Sequence, residues 1–135
     1  MQLNTMRALV IEDDAHSLNA ISNILREHGI RFKRNTTGAS VLQQLRDMQP
    51  LPDFILLDLH LPQADPFDIT ASIRRDPTLR EILIICLGEE ESHPLVERAQ
   101  QSGCDSFLTK PLPRRHFAHM LRRILDGEQL WALAV

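Results

Sequence analysis

Apolar and polar residues follow two different patterns along this chain. Short apolar runs, typical of strands buried on both faces, predict strands at 8–11, 54–57, 82–87 and 106–108, and 30–33 (IRFK) forms a weaker fifth candidate. Elsewhere apolar residues recur every three or four positions, which predicts five helices: one that ends at Gly29 and others at about 38–48, 67–75, 94–102 and 114–126. Strand and helix alternate five times, which favours one α/β domain with a parallel sheet covered on both faces.

In such a sheet, ligands bind beyond the carboxyl ends of the strands. Functional side chains should therefore follow strands, and three strand ends meet this condition. Glu12 and Asp13 follow the first strand, Asp58 follows the third, and Lys110 follows the fifth. Three crowded carboxylates repel one another unless a cation neutralises them, and Mg²⁺ is the hard oxygen-seeking ion that suits this set. A carboxylate can also attack phosphorus and form an acyl phosphate, so we expect Asp58 to accept a phosphoryl group.

Composition narrows the class of protein. The 135 residues carry 15 Lys+Arg against 18 Asp+Glu, a net charge of -3, which argues against nucleic acid contacted by the domain itself. No apolar run approaches the roughly 20 residues that span a bilayer, and residues 1–7 show no secretion signal. We therefore expect a cytoplasmic protein that contacts no membrane. Cys86 and Cys104 are expected to be two free thiols in a reducing compartment.

Three segments contain the strand-end residues: 9–14 (LVIEDD), 52–62 (PDFILLDLHLP) and 103–111 (GCDSFLTKP). Together they resemble the receiver domains of two-component response regulators, and the similarity runs from about Arg7 to Asp126. The resemblance implies a flavodoxin-like, doubly wound sheet of five parallel strands in the order 2-1-3-4-5 with five helices. It also implies a signalling domain, not an enzyme, that receives phosphate from a histidine kinase or a phosphotransfer protein.

The resemblance assigns roles residue by residue. Asp58 is the phosphoacceptor. Glu12 and Asp13 are the acidic pair that holds Mg²⁺ together with Asp58, and His60 lends its backbone carbonyl to the ion. Lys110 contacts the phosphoryl oxygens.

The same resemblance places a conformational switch at Phe107 and a cis peptide bond before Pro111. Phe107 could instead simply pack at a short edge strand. Family members carry Thr or Ser and then a small residue after the fourth strand, where this chain has Gly88 and Glu89. Gly88 can still offer a backbone N–H to the phosphoryl group, but the hydroxyl is missing, and replacing Gly88 by Thr should restore the link to the switch. Thr109 is not a substitute, because neighbouring residues of a strand alternate in direction.

Glu89 leaves two interpretations open. It adds negative charge beside the phosphoryl site, or it begins the next helix together with Glu90 and Glu91, favourably placed at the positive end of the helix dipole. The departures at residues 88 and 89 also support a second function: a pseudo-receiver that binds a partner independently of phosphate.

Four further acidic residues are expected to serve the fold. Asp14 should cap the first helix, Asp65 and Asp68 should lie at the start of the third, and Asp105 should form a turn after Gly103.

The receiver domain is expected to span 1–126, with 127–135 as a C-terminal tail or the start of a linker. Arginines at 114, 115, 122 and 123, opposite Glu97 and the preceding glutamates, suit a homodimer through the fourth helix, fifth strand and fifth helix, although ordinary solvated helix faces explain them equally.

Overall fold

The five predicted strands form one sheet in the computed structural model, which describes residues 2–89 and 92–131. The strands are β1 (Arg7–Ile11), β2 (Arg31–Asn35), β3 (Phe54–Asp58), β4 (Leu83–Gly88) and β5 (Ser106–Thr109). All neighbours pair in parallel, in the order β2-β1-β3-β4-β5, so the predicted fold class is confirmed. Predictions that concern Glu90, Glu91 and residues 132–135 lie outside the described residues.

Five helices connect and follow the strands. They are α1 (Ala15–Glu27), α2 (Val41–Asp47), α3 (Pro66–Arg75), α4 (His93–Ser102) and α5 (Phe117–Leu125). Helices α2 and α5 each begin three residues later than predicted. Gly38 and Ser40 have φ of 82° and 56°, which a right-handed helix cannot contain. Before α5, residues 114–116 form a turn in which the His116 N–H donates to the Pro113 carbonyl, so the α-helix begins only at Phe117.

Helices cover the sheet on both faces, as two separate apolar clusters show. The first cluster joins one face of the sheet to α1 and α5, through residues such as Leu25, Phe117 and Leu121. The second joins the other face to α2, α3 and α4, through residues such as Leu45 and Ile73. The interiors of β1, β3 and β4 are therefore apolar on both sides, so their polar chemistry lies at the strand ends, whereas the edge strand β2 is polar and largely exposed.

Most acidic residues assigned to the fold do what was expected of them. The Asp14 carboxylate accepts the Ser17 N–H and caps α1, and Asp65 accepts the Phe67 N–H at the start of α3. Asp105 does more than form a turn. Its carboxylate binds Arg74 at 2.6 Å and accepts the Ile84 N–H at 2.8 Å, so it ties α3 and β4 to the approach of β5.

The expectation of two free thiols is wrong, because Cys86 and Cys104 form a disulfide. Cys86 lies in β4, and Cys104 lies in the turn before β5, the strand that pairs with β4. Their Cα atoms are 6.5 Å apart, and both side chains are buried in the second cluster. The sequence separation of 18 residues reveals nothing of this proximity, which the parallel crossover through α4 creates.

Within the described residues, no helix is both long enough and apolar enough to cross a membrane.

Reduction of the disulfide should lower the free energy of unfolding by about 3 kcal/mol, because the bond closes an 18-residue loop in the unfolded chain. Urea unfolding with and without a phosphine reductant measures this difference. The matched control is Cys104→Ser, whose unfolding midpoint should be the same with and without the reductant. Intact mass without reductant should be lower by the mass of two hydrogen atoms, and an unchanged mass would show that the thiols are free.

Candidate functional site

The carboxyl edge of the sheet gathers the predicted site residues. Ile11 pairs with Leu57 in the β1–β3 ladder, so Glu12 and Asp58, the residues that follow them, lie side by side. Asp13 comes next in the chain, and carboxylate oxygens of Glu12, Asp13 and Asp58 lie within 4.8 Å of one another. Glu12 and Asp58 are buried, whereas Asp13 is exposed to solvent.

Lys110 reaches this acidic group from the end of β5. Its Nζ donates to Glu12 Oε1 at 2.7 Å and to Asp58 Oδ1 at 3.3 Å. The Lys110 backbone N–H donates to the Gly88 carbonyl at 2.7 Å, which extends the β4–β5 ladder by one residue. The Lys110–Pro111 peptide bond is cis. The ammonium is therefore held by its backbone on one side and by two carboxylates on the other.

Burial and charge shift the pKa of all three groups. Burial raises the pKa of Asp58 to about 7, and the neighbouring Glu12 carboxyl adds to this rise. Burial also favours neutral Glu12, but polar contacts with Asp58 and Lys110 outweigh it and hold the pKa of Glu12 below its usual value. For Lys110, burial opposes the charged form, yet the two carboxylates raise its pKa. Burial and the adjacent Glu12 carboxyl therefore keep the proton on Asp58 up to about neutral pH.

The donor set fits a hard divalent cation. Glu12 Oε2 is buried and has no hydrogen-bond partner among the described residues, which is costly unless something else satisfies it. Two buried carboxylates and one exposed carboxylate supply the few protein oxygens that Mg²⁺ takes, with room for water beside Asp13. His60 is exposed and donates its backbone N–H to Asp58 Oδ1 at 3.1 Å. The role of its carbonyl as a ligand stays a prediction.

Gly88 faces the ring of Phe107 and not an empty space. A Cβ built on Gly88 would lie 2.8 Å from Phe107 Cζ and 3.1 Å from Cε2, inside normal contact distance. The backbone of Gly88 does not have a left-handed φ, so packing is what excludes a side chain here. Phe107 is fully buried in the second cluster. The ring fills the space beside Gly88, a complementary large–small pair that sequence reasoning treated as two separate features.

Adding a threonine at residue 88 is therefore not a simple restoration of a hydroxyl. The ring would first have to turn away, since its far edge occupies the position of the new Cβ. The Thr109 hydroxyl is buried without a partner among the described residues and makes no hydrogen bond to Asp58 or Lys110. It does not replace the missing group in this structure.

Glu89 does not begin α4. That helix starts at His93, with Ser92 as the capping residue, and its first turn contains no acidic residue. Glu89 is exposed and lines the same groove as Asp14, Lys110 and Pro111. Its charge therefore lies in a groove that reaches Lys110, and an effect of this charge on the phosphoryl site stays a prediction.

Comparisons with known proteins agree with this arrangement. Residues 8–122 match the family described as response regulator receiver domain. The polar-differentiation response regulator DivK of Brucella ovis is 25% identical over 121 residues, which cover 90% of this chain and 97% of that protein.

Two solved structures are similar over 90% of this chain. One is the signal receiver domain of a histidine kinase from Syntrophus aciditrophicus, at 27% identity, 91% coverage of that chain and a TM-score of 0.78. The other is the BeF₃-activated receiver domain of DrrB, a Thermotoga maritima protein, at 25% identity, 97% coverage of that chain and a TM-score of 0.75.

Gly88→Ala should destabilise the chain by about 1–3 kcal/mol, because its methyl group overlaps the Phe107 ring. In a Phe107→Leu background the same change should cost clearly less, since the ring edge is gone. A double-mutant cycle by urea unfolding measures the difference. Equal costs in both backgrounds would contradict the contact between Gly88 and the ring.

Asp58→Asn should stabilise the metal-free protein at neutral and higher pH by on the order of 1–3 kcal/mol. A folded-state pKa near 7, above the unfolded value of 3.8, stabilises the protein below the unfolded pKa, and this stabilisation is lost as pH rises through 7. The advantage of the variant should therefore grow between about pH 4 and pH 7, then level off. Urea unfolding at several pH values in a chelating buffer tests this, with the exposed Asp53→Asn as the matched control.

Proposed function

The chain belongs to the response regulator receiver domains, signalling domains and not classical enzymes, and from that premise we propose that Asp58 accepts a phosphoryl group. The donor is a phosphohistidine on a histidine kinase or a phosphotransfer protein. The single observation that carries this proposal is the buried Asp58 carboxylate, which lies at the carboxyl edge of the sheet within hydrogen-bonding distance of Lys110.

The transfer is a displacement at phosphorus. An Asp58 carboxylate oxygen forms a bond to phosphorus while the bond from phosphorus to the donor's histidine nitrogen breaks, and that nitrogen keeps the electron pair. Lys110 is already within 3.3 Å of Asp58, so its ammonium can follow the charge onto the phosphoryl oxygens. The backbone N–H of His60 contacts the same carboxylate and orients it.

A divalent cation, which we assign as Mg²⁺, would be held by Glu12, Asp13 and Asp58, with the His60 carbonyl as a further oxygen ligand. When bound, it neutralises charge on the carboxylates and on the transferred group. The unpartnered Glu12 Oε2 supports this assignment, because a cation would satisfy a buried oxygen that no described residue satisfies.

A pseudo-receiver that works without phosphate is the second candidate, and one observation favours it. The Phe107 ring already fills the space next to Gly88, so the switch position is packed inward before any phosphoryl group arrives. Residue 88 has no hydroxyl to bind a phosphoryl group, and Glu89 adds negative charge in the nearby groove. A phosphoryl group therefore has fewer contacts through which to move the switch position. Glu12, Asp13, Asp58 and Lys110 all remain in place, which favours the phosphoacceptor over this alternative.

Several narrower points are part of the proposal. The receiver domain is proposed to span 1–126 and to contact no nucleic acid by itself. The face of α4, β5 and α5 is the proposed homodimer surface, although Arg114 and Arg123 already pair with Glu27 and Glu128 of the same chain. The cytoplasmic location also remains a proposal, which the disulfide weakens because such bonds are rare in the cytosol.

Incubation with acetyl phosphate and Mg²⁺ should add one phosphoryl group to the parent protein, measured by intact mass and peptide mapping. Asp58→Asn should abolish the addition, whereas Asp53→Asn, at the opposite end of the same strand, should leave it intact. Lys110→Ala should slow it by about a hundredfold, because a positioned charge is lost. Beryllofluoride binding, followed by Trp131 fluorescence, provides a second readout.

The phosphoacceptor proposal fails if no Mg²⁺-dependent addition occurs, or if Asp58→Asn and the parent behave alike. Modification of Asp58 with no change in partner binding or self-association would favour the pseudo-receiver instead.

A further inference from the structure

The chain that follows α5 returns to the sheet and packs along its outer edge. Gly127 has a φ of 102°, and its N–H and that of Glu128 close the end of α5 onto Ile124 and Arg123. Glu128 also pairs with the Arg123 side chain at 2.9 Å. After this turn, residues 128–131, here called the strap, run beside β5.

Backbone hydrogen bonds join the strap to β5. The Phe107 N–H donates to the Leu130 carbonyl at 2.7 Å, and the Leu130 N–H donates to the Ser106 hydroxyl at 3.0 Å. Trp131 forms a parallel bridge with Phe107. Ser106 is fully buried, so its hydroxyl would lack a partner if the strap left. These contacts hold the strap along the outer edge of β5 through one isolated bridge and two hydrogen bonds.

The two apolar side chains of the strap enter different cores. Leu130 is 7% exposed and packs into the first cluster, on the side of α5. Trp131 is half-buried and packs against the second cluster, where a groove that it shares with His93, Val96 and Glu97 of α4 begins. The strap therefore crosses β5 from the α5 side to the α4 side.

We propose that the strap is an intramolecular occupant of the α4–β5–α5 face, which must leave before a second copy of this chain can pair through that face. The evidence for the strap is its own set of contacts. Only a link between release of the strap and phosphorylation of Asp58 rests on the proposed function. The strap and a second copy of the chain therefore compete for the same edge of β5. Homodimer formation through this face requires displacement of the strap first.

A second copy fits the uncovered face by charge and by edge chemistry. Glu97 on α4 is exposed and forms no ion pair within the described part of the chain. Arg123 on α5 pairs with Glu128 of the strap, so its charge is released when the strap leaves. A two-fold interface would bring α4 of one copy against α5 of the other and pair these charges twice. The Phe107 N–H released by the strap would also need a new partner, which an edge-to-edge contact can supply.

The strap also contacts the switch position. Phe107 is held by its backbone to Leu130 and by its ring against Gly88, so it touches the strap and the end of β4 at once. Movement of the strap therefore affects the end of β4, and movement of the end of β4 affects the strap, because both contact Phe107. The strap thereby offers a route from the acidic edge to the outer face that needs no hydroxyl at residue 88.

Leu130→Asp in the full chain should release the strap, because a buried leucine becomes a charge. The matched control is Gln129→Asp, the same new charge at the adjacent exposed residue. Amide exchange at Phe107 should become about tenfold faster in Leu130→Asp only, and Trp131 emission should shift to longer wavelength. Sedimentation should then show self-association about tenfold tighter than in the parent and in Gln129→Asp. All measurements are made without Mg²⁺ or a phosphodonor, so they do not depend on Asp58 chemistry.

Equal amide exchange at Phe107 in Leu130→Asp and Gln129→Asp would contradict the proposal that the strap covers β5. Faster exchange in Leu130→Asp without tighter self-association would contradict the proposal that the strap prevents pairing. Ser106→Ala, which removes the acceptor of the Leu130 N–H, gives an independent second variant should Leu130→Asp fold poorly. It should shift Trp131 emission and self-association in the same direction, and an unchanged profile would count equally against the inference. A parent protein that fails to bind beryllofluoride would remove the proposed function alone.

Discussion

One interaction sets the character of this molecule: the Lys110 ammonium lies between the buried carboxylates of Glu12 and Asp58. It joins the ends of the first, third and fifth strands, so its geometry depends on the part of the sheet from β1 to β5 and leaves out only β2 among the five strands. Burial and the neighbouring Glu12 carboxyl raise the pKa of Asp58 to about 7 despite this positive charge, and Glu12 Oε2 has no hydrogen-bond partner among the described residues. A site so arranged is stabilised by any further cation or by protonation.

The region beside this site is governed by packing more than by charge. Gly88 leaves a space beside the end of β4 that the Phe107 ring fills. The two residues therefore behave as one packed unit, and neither can change without the other. The Phe107 ring is already packed against Gly88, so the proposed acceptance of phosphate at Asp58 is a separate question from any movement of this ring.

The outer side of the sheet carries two covalent or backbone restraints that bear on this response. The Cys86–Cys104 disulfide ties β4 to the approach of β5, and the strap ties β5 to the chain after α5. Both act next to Phe107, because Cys86 is its partner in the β4–β5 ladder. The disulfide thus restrains the α4–β5–α5 face on the side of β4, and the strap covers it on the solvent side. A response at this face would depend on the release of these two restraints more than on a hydroxyl at residue 88.

The alternation of apolar runs and helical periods was sufficient to determine the strands, helices and sheet class, because burial on two faces leaves little freedom in composition. Strand-end position alone brought Glu12, Asp13, Asp58 and Lys110 together, because parallel strands share one carboxyl edge. Only the tertiary structure decided the disulfide, the fit of Phe107 against Gly88 and the path of the strap. These depend on distances between segments remote in sequence, and on how side chains share space, for which a single chain carries no periodic signal.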